Sequence, residues 1–190
     1  MRQQIHRNIR NIVLYTLTIA LLSLAYFVYA YTLLAIPEER ETLLTEIGEN
    51  LGNIGLLLLI FIYLRTVLKL LLGQGKLAQR LLPDYTPLIG ASFVNRLLTW
   101  MNRTHVYFGI AAIAIILLHI VMMDFSRYQQ ILFFPIVLAL VIWQGIFGLF
   151  LTIRYTPGEL KKFSYLVHAQ FVSGIALGIF ALFGHFLIDD

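Results

Sequence analysis

Long apolar runs separated by short polar clusters organise the chain. The runs cover roughly residues 12–36, 51–72, 104–123, 131–153 and 163–188. Each reaches the ~20 residues a helix needs to cross a hydrocarbon layer of ~30 Å. None alternates at period two over ~10 residues, as a barrel strand would. Without water to satisfy backbone groups, spanning segments must be helical. The pattern predicts an all-α integral membrane protein with five transmembrane helices in a single domain, residues 1–190. The first run exceeds the 7–15 apolar residues of a cleaved signal, so it counts as a span.

The one long connection lies between the second and third runs. "GQGK", Pro83 and Pro87 mark a turn-rich stretch. After it, "LIGASFVNRLLTWMNR" places Phe93, Leu97 and Met101 at i, i+4 and i+8, with Asn95, Arg96 and Asn102 on other faces. That spacing predicts an interfacial helix before the third span, lying along the membrane surface with Trp100 as an aromatic anchor. A docking surface for a soluble partner is the alternative.

Composition agrees: 59% of residues are hydrophobic and 13% charged, whereas soluble domains carry about a quarter charged residues. A net charge of +4 is too small to point to nucleic acid, but its placement is informative. Arg2, Arg7 and Arg10 precede the first span. Arg65 and Lys69, close enough to the end of the second run to snorkel, group with Lys76, Arg80, Arg96 and Arg103 before the third, and Arg154, Lys161 and Lys162 fall between the fourth and fifth. Only Arg40 and Arg127 are left opposite, with "PEERETLLTEIGEN", Asp189 and Asp190 on that same side. The positive-inside rule then predicts a cytoplasmic N-terminus and a multi-pass protein of the cytoplasmic (inner) membrane. The chain has no cysteine, which excludes disulfides, thiolate metal sites, iron–sulfur clusters and cysteine-linked haem.

Ionisable groups are costly inside lipid and mark function there. Four of the five histidines nonetheless fall in spans: His105 and His119 in the third, His168 and His185 in the fifth. These two spans are separated by one other, so they run parallel. His105 and His168 share the cytoplasmic level, and His119 and His185 the outer level. Two pairs at two depths match the needs of two b-type haems, each iron held by two imidazoles from facing helices. On the third span, fourteen residues bring His119 back to within ~40° of His105 after a rise of ~21 Å, and Gly109 and Ala112 share that arc. On the fifth, seventeen residues leave His168 and His185 ~100° apart on a straight helix, ~25 Å along it. Bending at Gly174 or Gly178 is the expected remedy. The competing explanations are histidines used for hydrogen bonding or packing, ordinary small-residue helix packing, and a haem-free metal site. The last normally adds carboxylates at a single depth, and the spans have almost none. His6 belongs to the basic tail.

The spacing of His105 and His119, the lead-in "NRLLTWMNRTH" and the segment "IRYTPGELKKFSYLVHAQF" that brings in His168 resemble the ferric-reductase-like transmembrane domain. That is the membrane half of NADPH oxidases, ferric reductases and the haem subunit of bacterial methionine-sulfoxide reductase systems. The resemblance covers about residues 96–188. It implies two haem b groups that pass electrons across the membrane, with His105 and His168 on the inner haem and His119 and His185 on the outer. The second histidine spacing is longer than the family's and looks more like the cytochrome b subunit of respiratory nitrate reductase.

The expectation is a di-haem b-type cytochrome acting as an electron-transfer subunit of a larger oxidoreductase. Its imidazoles' second nitrogens should donate to backbone carbonyls or to groups such as Thr104 or Ser164. Arg96, Arg103 and Arg154, with Lys161, are candidate partners of the inner haem's propionates, positive-inside topology being their plainer explanation. Gln144 would contact quinone or haem, or make an interhelical hydrogen bond, the safer expectation. No G-x-G-x-x-G loop is present, so electrons would come from a quinone pool or a separate flavoprotein or other redox partner. The rivals are a self-sufficient oxidoreductase acting on quinol, ferric iron, superoxide or oxygen, and a haem-free structural subunit.

Overall fold

The computed structural model describes residues 2–35, 42–74, 78, 92–168 and 171–188. Among them every regular element is a helix: α1 (Arg2–Leu33), α2 (Leu43–Leu71), α3 (Ser92–Met122), α4 (Phe133–Thr152), α5 (Gly158–His168) and α6 (Phe171–Phe186), with a 3₁₀ turn over Phe125–Tyr128. Helices α1 to α4 are each long and apolar enough to cross a membrane by length and composition, and α5 with α6, bent by 48° from each other, makes a fifth only where the pair is counted as one span. Arg40, Lys76, Arg80, the turn around Pro83 and Pro87, and Asp189 and Asp190 lie outside the described residues.

Local chemistry sets the helix ends. Thr42 and Thr45 form a reciprocal capping box at the start of α2, satisfying two of the first backbone donors. Gly73, at φ 63°, ends α2, with Gln74 N–H donating back to the Lys69 carbonyl at 2.8 Å. Only a residue without a Cβ takes that left-handed turn cheaply. Pro135 falls in the first turn of α4, where its missing N–H costs nothing.

Packing is closest between α2 and α3. They are antiparallel: Gly48 meets Met123, Gly52 meets His119 and Gly55 meets Ile116. Farther along, Phe61 meets Phe108 and Arg65 meets Asn102. Small residues on α2 let the backbones approach, as membrane helices require when dispersion rather than hydrophobic exclusion drives association. Helix α4 takes α5 and α6 against it, and α1 packs on α6. At one end, Ala30, Tyr128, Ile131, Phe133 and Leu187 form a buried cluster rimmed by Tyr26, Phe27, Phe180 and Phe183.

Two sequence expectations change. The segment before the third span is not a separate interfacial helix but the opening turns of α3. With 31 residues that helix is about 46 Å long. Met101 and Leu98 are buried (0% and 2% exposed), while Phe93 stays 71% exposed. The i, i+4, i+8 set thus divides between packing and surface because α2 covers one side of these turns. Trp100 packs edge-on against Phe61 and near Phe108. The fifth run likewise holds two described helices, α5 ending at His168 and α6 beginning at Phe171, bent by 48° from each other, and Gly174, against which the ring of Tyr63 rests, lies inside α6.

Candidate functional site

The four span histidines come together as two pairs. The rings of His105 on α3 and His168 on α5 stand 6.0 Å apart, centroid to centroid, with planes at 62°. Those of His119 on α3 and His185 on α6 stand 6.2 Å apart, at 18°. Backbone packing does not impose this proximity. Among the described residues α3 lies closely against α2 and more lightly against α4, with little backbone contact to α5 or α6. The 48° bend between α5 and α6 means that His168 and His185 do not keep the fixed rotation of one straight helix.

Centroid separations of 6.0 and 6.2 Å would let both imidazoles of a pair reach one shared metal-bearing group, a metal–imidazole bond being about 2.0–2.1 Å.

Hydrogen bonding selects which nitrogen remains available. Nδ1 of His119 donates to the Gly48 carbonyl at 2.8 Å, that of His168 to the Gln144 carbonyl at 3.0 Å, and that of His185 to the Ala181 carbonyl at 2.7 Å. A carbonyl oxygen only accepts, so Nδ1 carries the proton and Nε2 keeps its lone pair. This is the tautomer of an oriented metal-ligating imidazole. His105 differs, because its Nδ1 is buried with no partner among the described residues. A Cβ added at Gly109, one turn after His105, or at Gly178 on α6 would meet nothing within 4 Å. That leaves room beside the rings, although Ala112 on the same arc is buried. Among the described residues no three or more His, Cys, Asp or Glu side chains gather as a metal site, so the donor chemistry is that of imidazole pairs.

No family model, no curated protein and no solved structure matches this chain. Its function must be read from its own residues.

The basic residues sort differently from the sequence expectation. Arg96 and Arg103, with Asn95, Thr99 and Trp100, line an open depression of about 330 Å³. At 100° per residue they sit about 180° and 160° around α3 from His105. Arg154 lies over the ring of its neighbour Tyr155, 5.9 Å from the centroid, in the connection between α4 and α5. The cations that act electrostatically on His105 are instead Arg65 and Lys69, and Arg65 also acts on His168. Both come from α2, one turn apart. Thr104 and Ser164 bond to their own helices, at Trp100 O and Leu160 O. Backbone carbonyls serve the imidazoles in their place.

Gln144 makes an interhelical hydrogen bond, its side-chain amide donating to Ser173 on α6. Its carbonyl accepts from His168 as well, so one residue of α4 holds both sides of the helix break. Gly48, Gly52, Gly148 and Arg65 are the site residues that sequence reasoning missed. Their signal was present as Gly48 and Gly52 four residues apart, as a glycine in the fourth apolar run and as a cation near the end of the second, but only helix pairing puts the glycines beside histidines.

Proposed function

We propose that this chain is a di-haem b-type membrane cytochrome that carries electrons across the cytoplasmic membrane as a subunit of a larger redox system. In this reading α5 and α6 count together as the fifth span, and the placement of the basic residues supports an N-terminus inside. One observation supports this most: two imidazole pairs, 6.0 and 6.2 Å between centroids, bridge helices whose backbones hardly touch. When bound, each haem supplies a one-electron iron couple. His105 and His168 hold the inner group and His119 and His185 the outer, about 21 Å apart along α3. Carbonyls of Gly48, Gln144 and Ala181 orient three of the rings. Arg65 and Lys69 place positive charge at the inner pair, where propionates would be neutralised, while the apolar faces of α2 and α4 exclude water. Quinone or a separate flavoprotein is the redox partner.

The test is haem quantified per chain on purified protein, with a reduced-minus-oxidised spectrum. Two haems and a b-type α band are expected. Protein from haem-replete cells with no Soret absorbance would overturn the proposal.

A further inference from the structure

Two helices that contribute no histidine each hold one histidine ring, and they do it the same way. On α2, the Gly48 carbonyl accepts from His119 Nδ1 at 2.8 Å. Four residues later, a Cβ added at Gly52 would lie 2.8 Å from Cε1 and 2.9 Å from Nδ1 of that ring. On α4, the Gln144 carbonyl accepts from His168 Nδ1 at 3.0 Å. Again four residues later, a Cβ at Gly148 would lie 3.0 Å from Cε1 and 3.2 Å from Nδ1 of His168.

The repetition has a physical reason. In a helix the carbonyl of residue i points along the axis at the N–H of residue i+4. A ring that donates a second hydrogen bond to that oxygen must come in beside residue i+4, where any other residue projects a side chain. Glycine in a helix interior costs about 1 kcal/mol relative to alanine, and here its missing Cβ is the space the imidazole fills.

We propose that Gly52 and Gly148 are ring seats, each fixing the position and plane of one histidine. Gly148 governs the His105–His168 pair alone and Gly52 the His119–His185 pair alone. Each pair then has one ring seated from outside and one held otherwise: His185 bonds to Ala181 of its own helix, and His105 Nδ1 has no partner among the described residues. Seating leaves the pairs unlike, the inner crossed at 62° and the outer nearly parallel at 18°. The consequence for electron transfer rests on the di-haem reading; the seats themselves do not.

Two measurements test this. The first is a thermal-unfolding cycle on the detergent-solubilised full chain, which needs no haem. Gly148→Ala should lower the melting temperature in the wild-type background and change it little with His168→Ala, because removing the ring empties the seat. Gly52→Ala should behave likewise toward His119→Ala and be indifferent to His168→Ala. Equal losses in every background would overturn the seats, since the glycines would then serve backbone packing alone. The second is electron paramagnetic resonance of the ferric protein. Crossed imidazoles should give one strongly anisotropic low-spin signal and near-parallel ones a rhombic signal. Gly148→Ala should alter only the former and Gly52→Ala only the latter. Both variants altering both signals would overturn site selectivity. A haem-free preparation would defeat the di-haem proposal while leaving the unfolding cycle decisive for the seats.

Discussion

Arg65 donates from Nε to the side-chain oxygen of Asn102 at 2.7 Å. This bond anchors a guanidinium to α3 three residues before His105 and leaves its terminal amino groups for another partner. It also ties α2 to the level of the His105–His168 pair.

A positive charge so placed disfavours the more positive, ferric state of an iron at that level. On the di-haem proposal, replacing Arg65 by Met should lower the midpoint potential of the haem at His105 and His168 by roughly 70 mV, the size of one charge acting over ~10 Å at an effective dielectric near 20. Arg65→Lys should recover most of the shift. A redox titration resolving both haems checks this; a Met variant with an unmoved inner potential would remove Arg65 from the site.

The histidine pairing predicts two classes of variant. His105→Ala and His168→Ala should each lose the same haem, and His119→Ala and His185→Ala the other. Low-temperature reduced spectra, which separate the two α bands, tell the classes apart. If His105→Ala and His185→Ala abolished the same band, the assignment by depth would fail.

Gln144 bridges the break in the fifth span. Gln144→Leu should cost about 1 kcal/mol, the usual worth of an interhelical hydrogen bond in a membrane bundle. Ser173→Ala should cost a similar amount, and the double variant less than the sum. Denaturant unfolding in mixed micelles gives the three values, and strict additivity would show that the two side chains do not act on each other.

Tyr26 ties α1 to the connection before α4. Its hydroxyl accepts from the Leu132 N–H at 3.0 Å and reaches the Gln130 carbonyl at 3.3 Å. Tyr26→Phe keeps the edge-on contact with Phe133 and removes only the oxygen. The expected loss is about 1 kcal/mol, with haem content unchanged, measured by thermal unfolding and pyridine haemochrome together.

Much of this was legible along the chain. Apolar runs marked the helices because lipid demands internal backbone bonding over a fixed length. The run at residues 131–153 became α4 at Phe133–Thr152 almost unchanged. The shared face of His105 and His119 followed from helical period alone. Less legible was that the fifth run divides into two described helices, ending at His168 and beginning at Phe171, because the local signals were the glycines farther along, Gly174 and Gly178. Arg96 and Arg103 are near His105 in sequence yet across the helix from it, whereas Arg65, forty residues away, bonds to Asn102, three residues before it.

By itself, then, the sequence determined that the chain builds long apolar helices and that four imidazoles lie within them at two heights, because hydropathy and the 3.6-residue period are local properties. Only the tertiary structure decided which carbonyl orients each ring, which glycine makes room for it and which cation stands at its side. Those relationships arise where α2 and α4 pack against histidine-bearing neighbours, and no short stretch of chain encodes the register between two helices.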